Sequence, residues 1–552
     1  MRRKLWKIKE LNPRAALLAK KHNISIFLAQ IFLNRWIKEE DFSCFLGLTH
    51  PVLHSPNLLP DIKKAVQRVN AAVTGKEKVL VFGDYDVDGI TSLAIFYEFS
   101  FKHPDIFSFH IPHRCEEGYG LNKKTIKKAA EEGVSLLIAF DCGTNAYEEV
   151  EFAGSLNIDV VIIDHHLPKD QITESFAFIN PKRKDSNYPF PDLSAGALSF
   201  KFLQALTGSD CYEVLDLVAL SLVCDVAPLR GENRILLKKG LEVIRKTNRL
   251  AIKALCDVGR IKQENIDIFH IGFVLGPRIN ASGRVAHAID SFKLFLTKDA
   301  LEARSYAFKL NEYNLLRKDI EAQILRAAEE DVKGNIKGDY AIVVSGEGWH
   351  QGVLGIVASR LADKYFRPCF VISFDEHKGK GSARSIYSVH LLEVLNKCSD
   401  FLVLYGGHAR AAGVSLIKGQ LEGFKEKINL LIKESSSPED FIPIVDIDAS
   451  LNFEDIELGL VEDIEKLGPY GEGNSKPLFS CFNIFKKSAP QKIRSGFSIW
   501  LSDNNRVFEG IVYDKDVLEV LNYAETFDIA FSLEKNRYHN IPRLVIRDCR
   551  VS

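Results

Sequence analysis

Four short, largely apolar runs in the first half of the chain each end in acidic or imidazole side chains. The runs occupy residues 79–82, 135–140, 160–163 and 217–223. Such runs are typical of strands covered on both faces of a parallel sheet, although the last run is equally compatible with a buried helix. The carboxyl ends of parallel strands line the ligand-binding edge of the sheet. The pattern therefore predicts that the polar residues following these runs lie close together.

The apolar spacing also divides the chain into regions. Apolar runs alternate with helical patterns up to about residue 290, which indicates βαβ units and a parallel sheet. One long helix, a second α/β region and a tail of short strands suited to a small barrel follow. The predicted regions are a basic N-terminal segment (1–44), a catalytic domain (45–299), a connecting helix (300–335), a second α/β domain (336–435) and a barrel (440–552).

The residues that follow the apolar runs are suited to binding divalent cations. They are Asp84, Asp86 and Asp88 after the first run, Asp141 after the second, Asp164, His165 and His166 after the third, and Asp225 after the fourth. Carboxylate oxygens and imidazole nitrogens together favour Mn²⁺ or a similar ion. An Asp-x-Asp-x-Asp-Gly sequence alone is often a calcium loop, but Ile95 stands where an EF-hand loop has its bidentate Glu. A single Asp at a strand end is often only a helix N-cap.

Composition narrows the class of protein. A chain of 552 residues is too long for one core, and its net charge of -1 conceals a basic start in which Glu10 is the sole acid among many cations up to Lys21. This start lacks the features of a signal peptide and is interpreted either as a basic flap over the core or as a solvated helix face. The ten cysteines form no Cys-x-x-Cys pair, so neither zinc nor a disulfide framework is indicated. No apolar run reaches the ~20 residues of a membrane helix, so we expect a cytoplasmic protein without a membrane partner.

The acidic motifs together resemble those of the DHH phosphoesterase family, and within it the single-strand-specific exonucleases. The resemblance extends over nearly the whole chain, through residues 83–91, 141–143, 164–166 and 225, residues 112–114 and 117–121, residues 276–284 and residues 406–413. It implies that the second α/β region is a DHH-associated domain and that the barrel is an OB-fold. Many family members have His at the position of Phe82, and the resemblance implies that Asp84 fills that coordination space.

The resemblance also implies a role for each candidate residue. Asp86 binds one metal, Asp88 the other and Asp141 bridges them, while His165 and Asp225 complete a two-metal site for Mn²⁺ or Mg²⁺. His166 is either a ligand or a donor that orients the scissile phosphate, and the latter is favoured. We count Asp141, His165 and His166 as catalytic. The expected substrate contacts are Arg114, Arg278, Asn280, Arg284, Ser382, Arg384 and His408.

These expectations define a metal-dependent exonuclease that degrades single-stranded DNA from its 5′ end to 5′-mononucleotides in recombination and repair. The resemblance implies a single-stranded-DNA-binding protein and a helicase as partners of a monomeric enzyme. One alternative is a phosphodiesterase for very short oligonucleotides or cyclic dinucleotides, which would not need the barrel. Another is a non-catalytic DNA-binding scaffold, which would not need every expected carboxylate.

Overall fold

The computed structural model describes residues 4–47, 52–114, 116–335, 339–536 and 539–552. Two compact units are present: a terminal unit of Met1–Val52 with Ile442–Ser552, and a central unit of Leu53–Phe441. Within the described ranges, no helix is both long enough and apolar enough to cross a membrane. The nine described cysteines are free thiols. Arg2 and Arg3, which contribute to the basic start of the sequence, lie outside the described residues.

The chain begins in the terminal unit and then enters the central unit. The first elements are strand β1 (Leu5–Ile8) and helices α1 (Pro13–His22), α2 (Ile26–Asn34) and α3 (Phe42–Phe45). The first lobe of the central unit has strands β2 (Lys78–Gly83), β3 (Phe107–His110), β4 (Val134–Phe140), β5 (Asp159–Ile163) and β6 (Ala177–Ile179). Its helices up to β6 are α4 (Ile62–Gly75), α5 (Val87–Ser100), α6 (Lys123–Glu131) and α7 (Tyr147–Ser155).

The strands of the first lobe form one parallel sheet in the order β3-β2-β4-β5-β6. The strand order reverses between β2 and β4, because the chain runs from β2 outward to β3 and then returns past β2 to β4. Helix α5 packs over one face with the largest apolar cluster, which includes Ile90, Leu93 and Phe96. A smaller cluster that includes Phe82 and Ile126 covers the other face. Strands covered on both faces explain the uninterrupted apolar runs.

Helices alone follow β6 in the first lobe. They are α8 (Ala195–Thr207), α9 (Leu215–Cys224), α10 (Gly231–Ile244), α11 (Leu250–Gly259), α12 (Ile268–His270), α13 (Gly276–Val285), α14 (Ile289–Leu296) and α15 (Ala300–Asn335), with a π-helix at Ile271–Leu275. The prediction that strands alternate with helices to about residue 290 is therefore wrong beyond β6. The run 217–223 is part of α9 and not a strand, because its Leu-rich residues are buried on every side of a core helix.

The second lobe of the central unit begins after α15. Its elements are β7 (Ile342–Glu347), α16 (Leu354–Tyr365), β8 (Cys369–Asp375), β9 (Lys378–Arg384), α17 (Leu391–Asn396), β10 (Leu404–Gly407), β11 (Ala411–Ile417) and α18 (Leu421–Ser435). The sheet order is β10-β11-β9-β8-β7, with β7 and β8 parallel and the other pairs antiparallel. Helix α16 packs on β8 and β9, and a Cβ at Gly355 in its first turn would lie 3.1 Å from Ser382 Oγ on β9.

The chain then returns to the terminal unit. Its later elements are β12 (Ile444–Ile447), β13 (Ala449–Ser450), α19 (Leu458–Lys466), β14 (Phe479–Lys486), β15 (Gln491–Ile493), β16 (Gly496–Ser502), β17 (Val507–Val512), α20 (Lys515–Tyr523), β18 (Thr526–Asn536) and β19 (Ile541–Val551). Strands β14, β18, β19, β17 and β16 follow one another, and a further pairing of β14 with β16 closes the ring. The N-terminal segment joins this unit, because β1 pairs with β12 and α1 and α2 share its apolar core.

Candidate metal centre and adjoining cavity

The candidate metal centre lies where the strand order of the first lobe reverses. Gly83 pairs with Phe140, and Phe140 pairs with Ile163, so β2, β4 and β5 end side by side. Asp84, Asp141 and Asp164 each follow one of these strand ends. Ligands of open α/β sheets bind at this kind of switch point. The sheet register therefore brings carboxylates from distant parts of the sequence to one place.

The predicted ligands form three overlapping groups whose ligand atoms lie within 4.8 Å of one another. The groups are Asp84, Asp86 and Asp141; Asp88, His165 and Asp225; and Asp141, Asp164, His165 and His166. The first two groups adjoin, because His165 Nε2 lies 3.3 Å from Asp141 Oδ1 and 3.6 Å from Asp88 Oδ2. All six residues predicted as metal ligands thus meet in one cluster.

The loop after β2 is shaped by its own hydrogen bonds. Asp86 caps α5, since its Oδ1 accepts from the backbone N–H groups of Asp88 (2.9 Å) and Gly89 (3.2 Å). A Cβ atom at Gly89 would lie 2.4 Å from the carbonyl oxygen of Asp84, so only glycine permits this tight turn. The capping bonds use one oxygen of Asp86 and fix the orientation of its carboxylate.

Asp88 is held from the opposite side by α8. Its two carboxylate oxygens accept from the backbone N–H groups of Ala195 (2.8 Å) and Gly196 (2.9 Å) at the start of that helix. Ser221 on α9 donates a further hydrogen bond to Asp88 (2.5 Å). Backbone N–H groups at a helix N-terminus are suited to bind a carboxylate. The two helices thereby fix Asp88 against the rim of the sheet.

Asp225 reaches the centre from the end of a helix rather than from a strand. It is the C-cap of α9, and its Oδ2 lies 3.8 Å from His165 Nδ1. Because α9 also supplies Ser221 to Asp88, one helix positions two groups of the site. The structure places Asp225 beside His165, and of the two states left open for the run before it, the helix is the one observed.

Four carboxylates at the centre are destabilised in their charged forms: Asp84, Asp86, Asp141 and Asp225. Burial and the neighbouring charge of Asp86 raise the pKa of Asp84 well above its usual range, and burial with repulsion from Asp88 does the same for Asp141. Asp84 Oδ1 and His165 Nε2 are buried without a hydrogen-bond partner. These two unpaired atoms could coordinate a bound cation, whose positive charge would offset the repulsion between the carboxylates. Hard oxygen ligands with one imidazole fit Mn²⁺ or Mg²⁺.

The adjacent imidazoles His165 and His166 differ in charge. Burial lowers the pKa of His165 to about 4, so this ring is neutral, as a metal ligand must be. Burial also opposes charge on His166, but its hydrogen bond to Asp164 (2.7 Å) and the charge of that carboxylate raise its pKa to about 9. His166 is therefore a cation at neutral pH. This difference suits His165 to bind metal and His166 to donate to an anion.

A cavity of about 840 Å³ lies between the two lobes of the central unit, beside the loop that follows β2. Its lining includes Tyr85, Arg114, Tyr119, Ser382 and Arg384. The guanidinium of Arg114 lies 5.0 Å from the ring centre of Tyr85. Burial, followed by repulsion from Arg114, lowers the pKa of Arg384. Guanidinium groups that converge in this way are suited to bind phosphate oxygens.

Helix α13 carries three of the predicted substrate contacts, and their side chains have different partners in the structure. Arg284 donates to the carbonyl of Gly352 in the second lobe (3.2 Å), and burial with repulsion from Arg114 lowers its pKa to about 10. Asn280 accepts a hydrogen bond from the backbone N–H of Val87 (3.0 Å) and so supports the end of the loop between β2 and α5. Arg278 instead donates inside the protein, to Asn311 (3.0 Å) and to the carbonyl of Val274 (2.7 Å).

His408 lies in the exposed turn between β10 and β11, next to the cavity-lining residues Gly406 and Gly407. Its backbone N–H donates to the carbonyl of Ala411 (2.8 Å) and closes the turn. The structure therefore brings Arg114, Ser382 and Arg384 together, with His408 beside them.

Sequence reasoning missed several residues that shape the site. Tyr119 donates to the carbonyl of Asp141 (3.2 Å) and lies 3.2 Å from His166 Nε2. The start of α8, which binds Asp88, also escaped notice. A sequence signal for it exists, because Ser194 is a typical N-cap residue and precedes the small residues Ala195, Gly196 and Ala197.

Comparisons with known proteins agree with this architecture. The model of the DHH family N-terminal domain matches residues 78–222, that of the DHHA1 domain residues 337–434, and that of the RecJ OB domain residues 447–548. The fold and its acidic centre thus define a DHH-family protein with a DHHA1 domain.

The single-stranded-DNA-specific exonuclease RecJ of Bacillus subtilis is 33% identical over 551 residues, which cover 98% of this chain and 68% of the relative. RecJ of Haemophilus influenzae is 33% identical over 77% of this chain and 78% of the relative. The chain belongs to the RecJ family. A crystal structure of Thermus thermophilus RecJ with Mn²⁺ has the same fold, with a TM-score of 0.84, 24% identity and coverage of 99% of this chain and 80% of that one. A manganese-bound exonuclease RecJ has a TM-score of 0.62, 28% identity and coverage of 69% and 96%.

Proposed function

We propose that this chain is a metal-dependent exonuclease that hydrolyses single-stranded DNA from its 5′ end and releases 5′-mononucleotides. One observation carries the proposal: a cluster of buried carboxylates and a neutral imidazole adjoins a cavity lined by arginines. The relatives named single-stranded-DNA-specific exonucleases support the same activity. A phosphodiester substrate needs both features, because cations act on the scissile phosphate and guanidinium groups hold a second phosphate.

In this proposal the ligand groups hold two divalent cations, Mn²⁺ or Mg²⁺. Asp84, Asp86 and Asp141 would hold one, and Asp88, His165 and Asp225 would hold the other; Asp141 adjoins His165 of the second group. Cations held there would lower the pKa of a bound water and stabilise charge on the phosphate. The chain fixes these ligands in advance, through the N-cap of α5, the start of α8 and the end of α9. Such pre-positioning avoids reorganisation during the reaction.

His166 acts on the phosphate rather than on a metal. Because Asp164 keeps His166 protonated, its ring donates a hydrogen bond to a non-bridging oxygen of the scissile phosphate. Arg284 binds the adjoining backbone from the first lobe. Hydrolysis adds water across the P–O3′ bond, so the first nucleotide leaves with a 3′-hydroxyl and the remaining strand keeps the 5′-phosphate.

The second lobe selects the end of the strand. Ser382 and Arg384, together with Arg114, bind the terminal 5′-phosphate, and His408 donates to it from the neighbouring turn. A phosphate held between these groups fixes how far the strand extends towards the metal centre. The regenerated 5′-phosphate then occupies the same position in the next cycle. The polarity of degradation follows from this arrangement.

We also propose that the enzyme is a cytoplasmic monomer that works with a single-stranded-DNA-binding protein and a helicase. The reason is chemical: a single strand must be produced from duplex and kept accessible before it is degraded. Light scattering measures the monomer directly. Copurification with a single-stranded-DNA-binding protein, with and without nuclease treatment, separates protein contact from bridging by DNA.

The function is tested with single strands labelled at the 5′ or the 3′ end, with a duplex control, with Mn²⁺ and with a chelator. We expect labelled mononucleotide to appear at once from the 5′-labelled strand and only at the end from the 3′-labelled strand. Cleavage should require the metal and spare blunt duplex. Early release of mononucleotide from the 3′-labelled strand would contradict the polarity, and cleavage in the chelator would contradict the metal centre.

A further inference from the structure

The basic start of the sequence is not used by the metal centre, and in the terminal unit it lines a separate cleft. The cleft has a volume of about 890 Å³ and lies between the end of β1, the start of α1 and the end of α2. Its cationic residues are Lys7, Lys9, Arg14 and Lys38. Its apolar lining includes Ile8, Leu11, Leu33, Ile37 and Phe42. The cleft therefore combines positive charge with apolar surface.

Trp36 lines the same cleft and is unusual in two respects. It is 92% exposed, although tryptophan side chains are normally well buried. Its backbone has a φ of 55°, a region that residues other than glycine seldom adopt. An indole held in the solvent at this position contributes nothing to the core. It presents a flat aromatic surface to a ligand.

The acids of the cleft do not cancel its positive charge. Glu39 is already paired with Lys21 (2.7 Å) and His22 (2.8 Å), which lowers its pKa. Of the four cations, Lys38 is paired with Glu40 (3.6 Å), which leaves Lys7, Lys9 and Arg14 against Glu10. The free charge in the cleft is positive, which fits an anionic ligand.

We propose that this cleft binds single-stranded DNA, with an unpaired base stacked on Trp36 and phosphates bound by Lys7, Lys9, Arg14 and Lys38. The inference rests on the proposed function, in which a single strand is the substrate. Stacking on an aromatic side chain requires an unpaired base, whereas duplex binding needs phosphate contacts alone. The N-terminal segment shares its core with a closed ring of five strands, an architecture that carries oligonucleotide sites in other proteins. An acidic peptide is the competing ligand.

The first experiment measures binding of a labelled oligothymidylate to the full chain by fluorescence anisotropy, with a chelator to prevent cleavage. Trp36→Ala should weaken binding roughly 5- to 100-fold, as expected for the loss of one stacked base, and Trp36→Phe should retain most of the affinity. Leu17→Ala, at another exposed apolar residue, on α1, serves as the matched control. Equal affinities for Trp36→Ala and the wild type would overturn the proposal.

The second experiment separates stacking from charge. The wild type should prefer oligothymidylate over an abasic strand of equal length, and Trp36→Ala should lose this preference. Lys7→Glu should reduce the salt dependence of binding by about 0.7 in the log–log slope, whereas Lys20→Glu, on the last turn of α1, should not. A preference for the base-bearing strand that survives Trp36→Ala would contradict the proposal.

The third measurement addresses the competing ligand and the independence of this inference. Tryptophan emission should be quenched by oligothymidylate, and Trp36→Phe should remove that change. Stronger quenching by oligoglutamate would overturn the proposal and assign the cleft to an acidic peptide. Cleavage with Mn²⁺ is scored separately. A wild type that cleaves no single strand refutes the proposed function, whereas an active enzyme whose binding is unaltered by Trp36→Ala refutes only the cleft.

Discussion

The metal centre and the cavity beside it have opposite charges and are built in opposite ways. The metal centre is anionic, and most of its ligands follow adjacent strands of one parallel sheet. The cavity is cationic, and its walls come from the motif region of the first lobe and from strands of the second lobe. A single sheet fixes the chemistry, whereas two lobes together select the strand end. Damage to the first region should therefore remove turnover, and damage to the second should remove selectivity.

The largest effect is expected at Asp141. Asp141→Asn removes a carboxylate that adjoins both ligand groups, so cleavage should fall by more than about 100-fold, the upper range for losing a group that only supports a ligand. Binding of single-stranded DNA should stay close to that of the wild type, because the arginines of the cavity are untouched. The assay compares cleavage with Mn²⁺ and anisotropy in a chelator. Asp170→Asn, at a fully exposed carboxylate of the same lobe, is the control.

A smaller effect is expected from Arg384, in the second region. Arg384→Ala should raise KM for a 5′-phosphorylated strand about 10- to 100-fold, the loss expected for hydrogen bonds to a charged group. The value of kcat should change little, and the preference for a 5′-phosphate over a 5′-hydroxyl should disappear. Arg326→Ala, at an exposed arginine of α15, controls for charge. An unchanged phosphate preference would show that the end of the strand is recognised elsewhere.

His166 lies between the two regions, and its effect should depend on pH. Its pKa of about 9 means that the ring is protonated below that pH and loses its charge above it. The cleavage rate of the wild type should therefore decline as pH rises through about 9. His166→Gln should lower the cleavage rate about tenfold at neutral pH and abolish the decline of the rate at alkaline pH. His377→Gln, in an exposed turn, is the control and should leave the alkaline decline of the rate unchanged.

The two regions also differ in how far the sequence predicted them. Asp84, Asp141 and His165 were predicted correctly as neighbours, because strand ends in a parallel sheet must lie side by side. The buried run before Asp225 carried no periodicity, so its helical state could not be read. The interior bonds of Arg278 depend on α15 and the π-helix, and the start of α8 reaches Asp88 over a separation of more than 100 residues. Such contacts are set by packing and leave no local pattern.

The smallest effect concerns stability, and it would sharpen the contrast between catalysis and folding. Burial and like charge raise the pKa of Asp141 in the folded protein, so the fold binds more protons than the unfolded chain at pH values above the ordinary carboxyl pKa. The metal-free protein should therefore lose stability as pH rises through that window. Asp141→Asn removes this repulsion and should raise the free energy of unfolding at neutral pH by about 0.5–2 kcal/mol in a chelator. Urea denaturation at neutral and mildly acidic pH measures both quantities. If the variant is less stable than the wild type at neutral pH without metal, the carboxylate is satisfied by the protein alone, and the electrostatic argument for a cation at this position is lost.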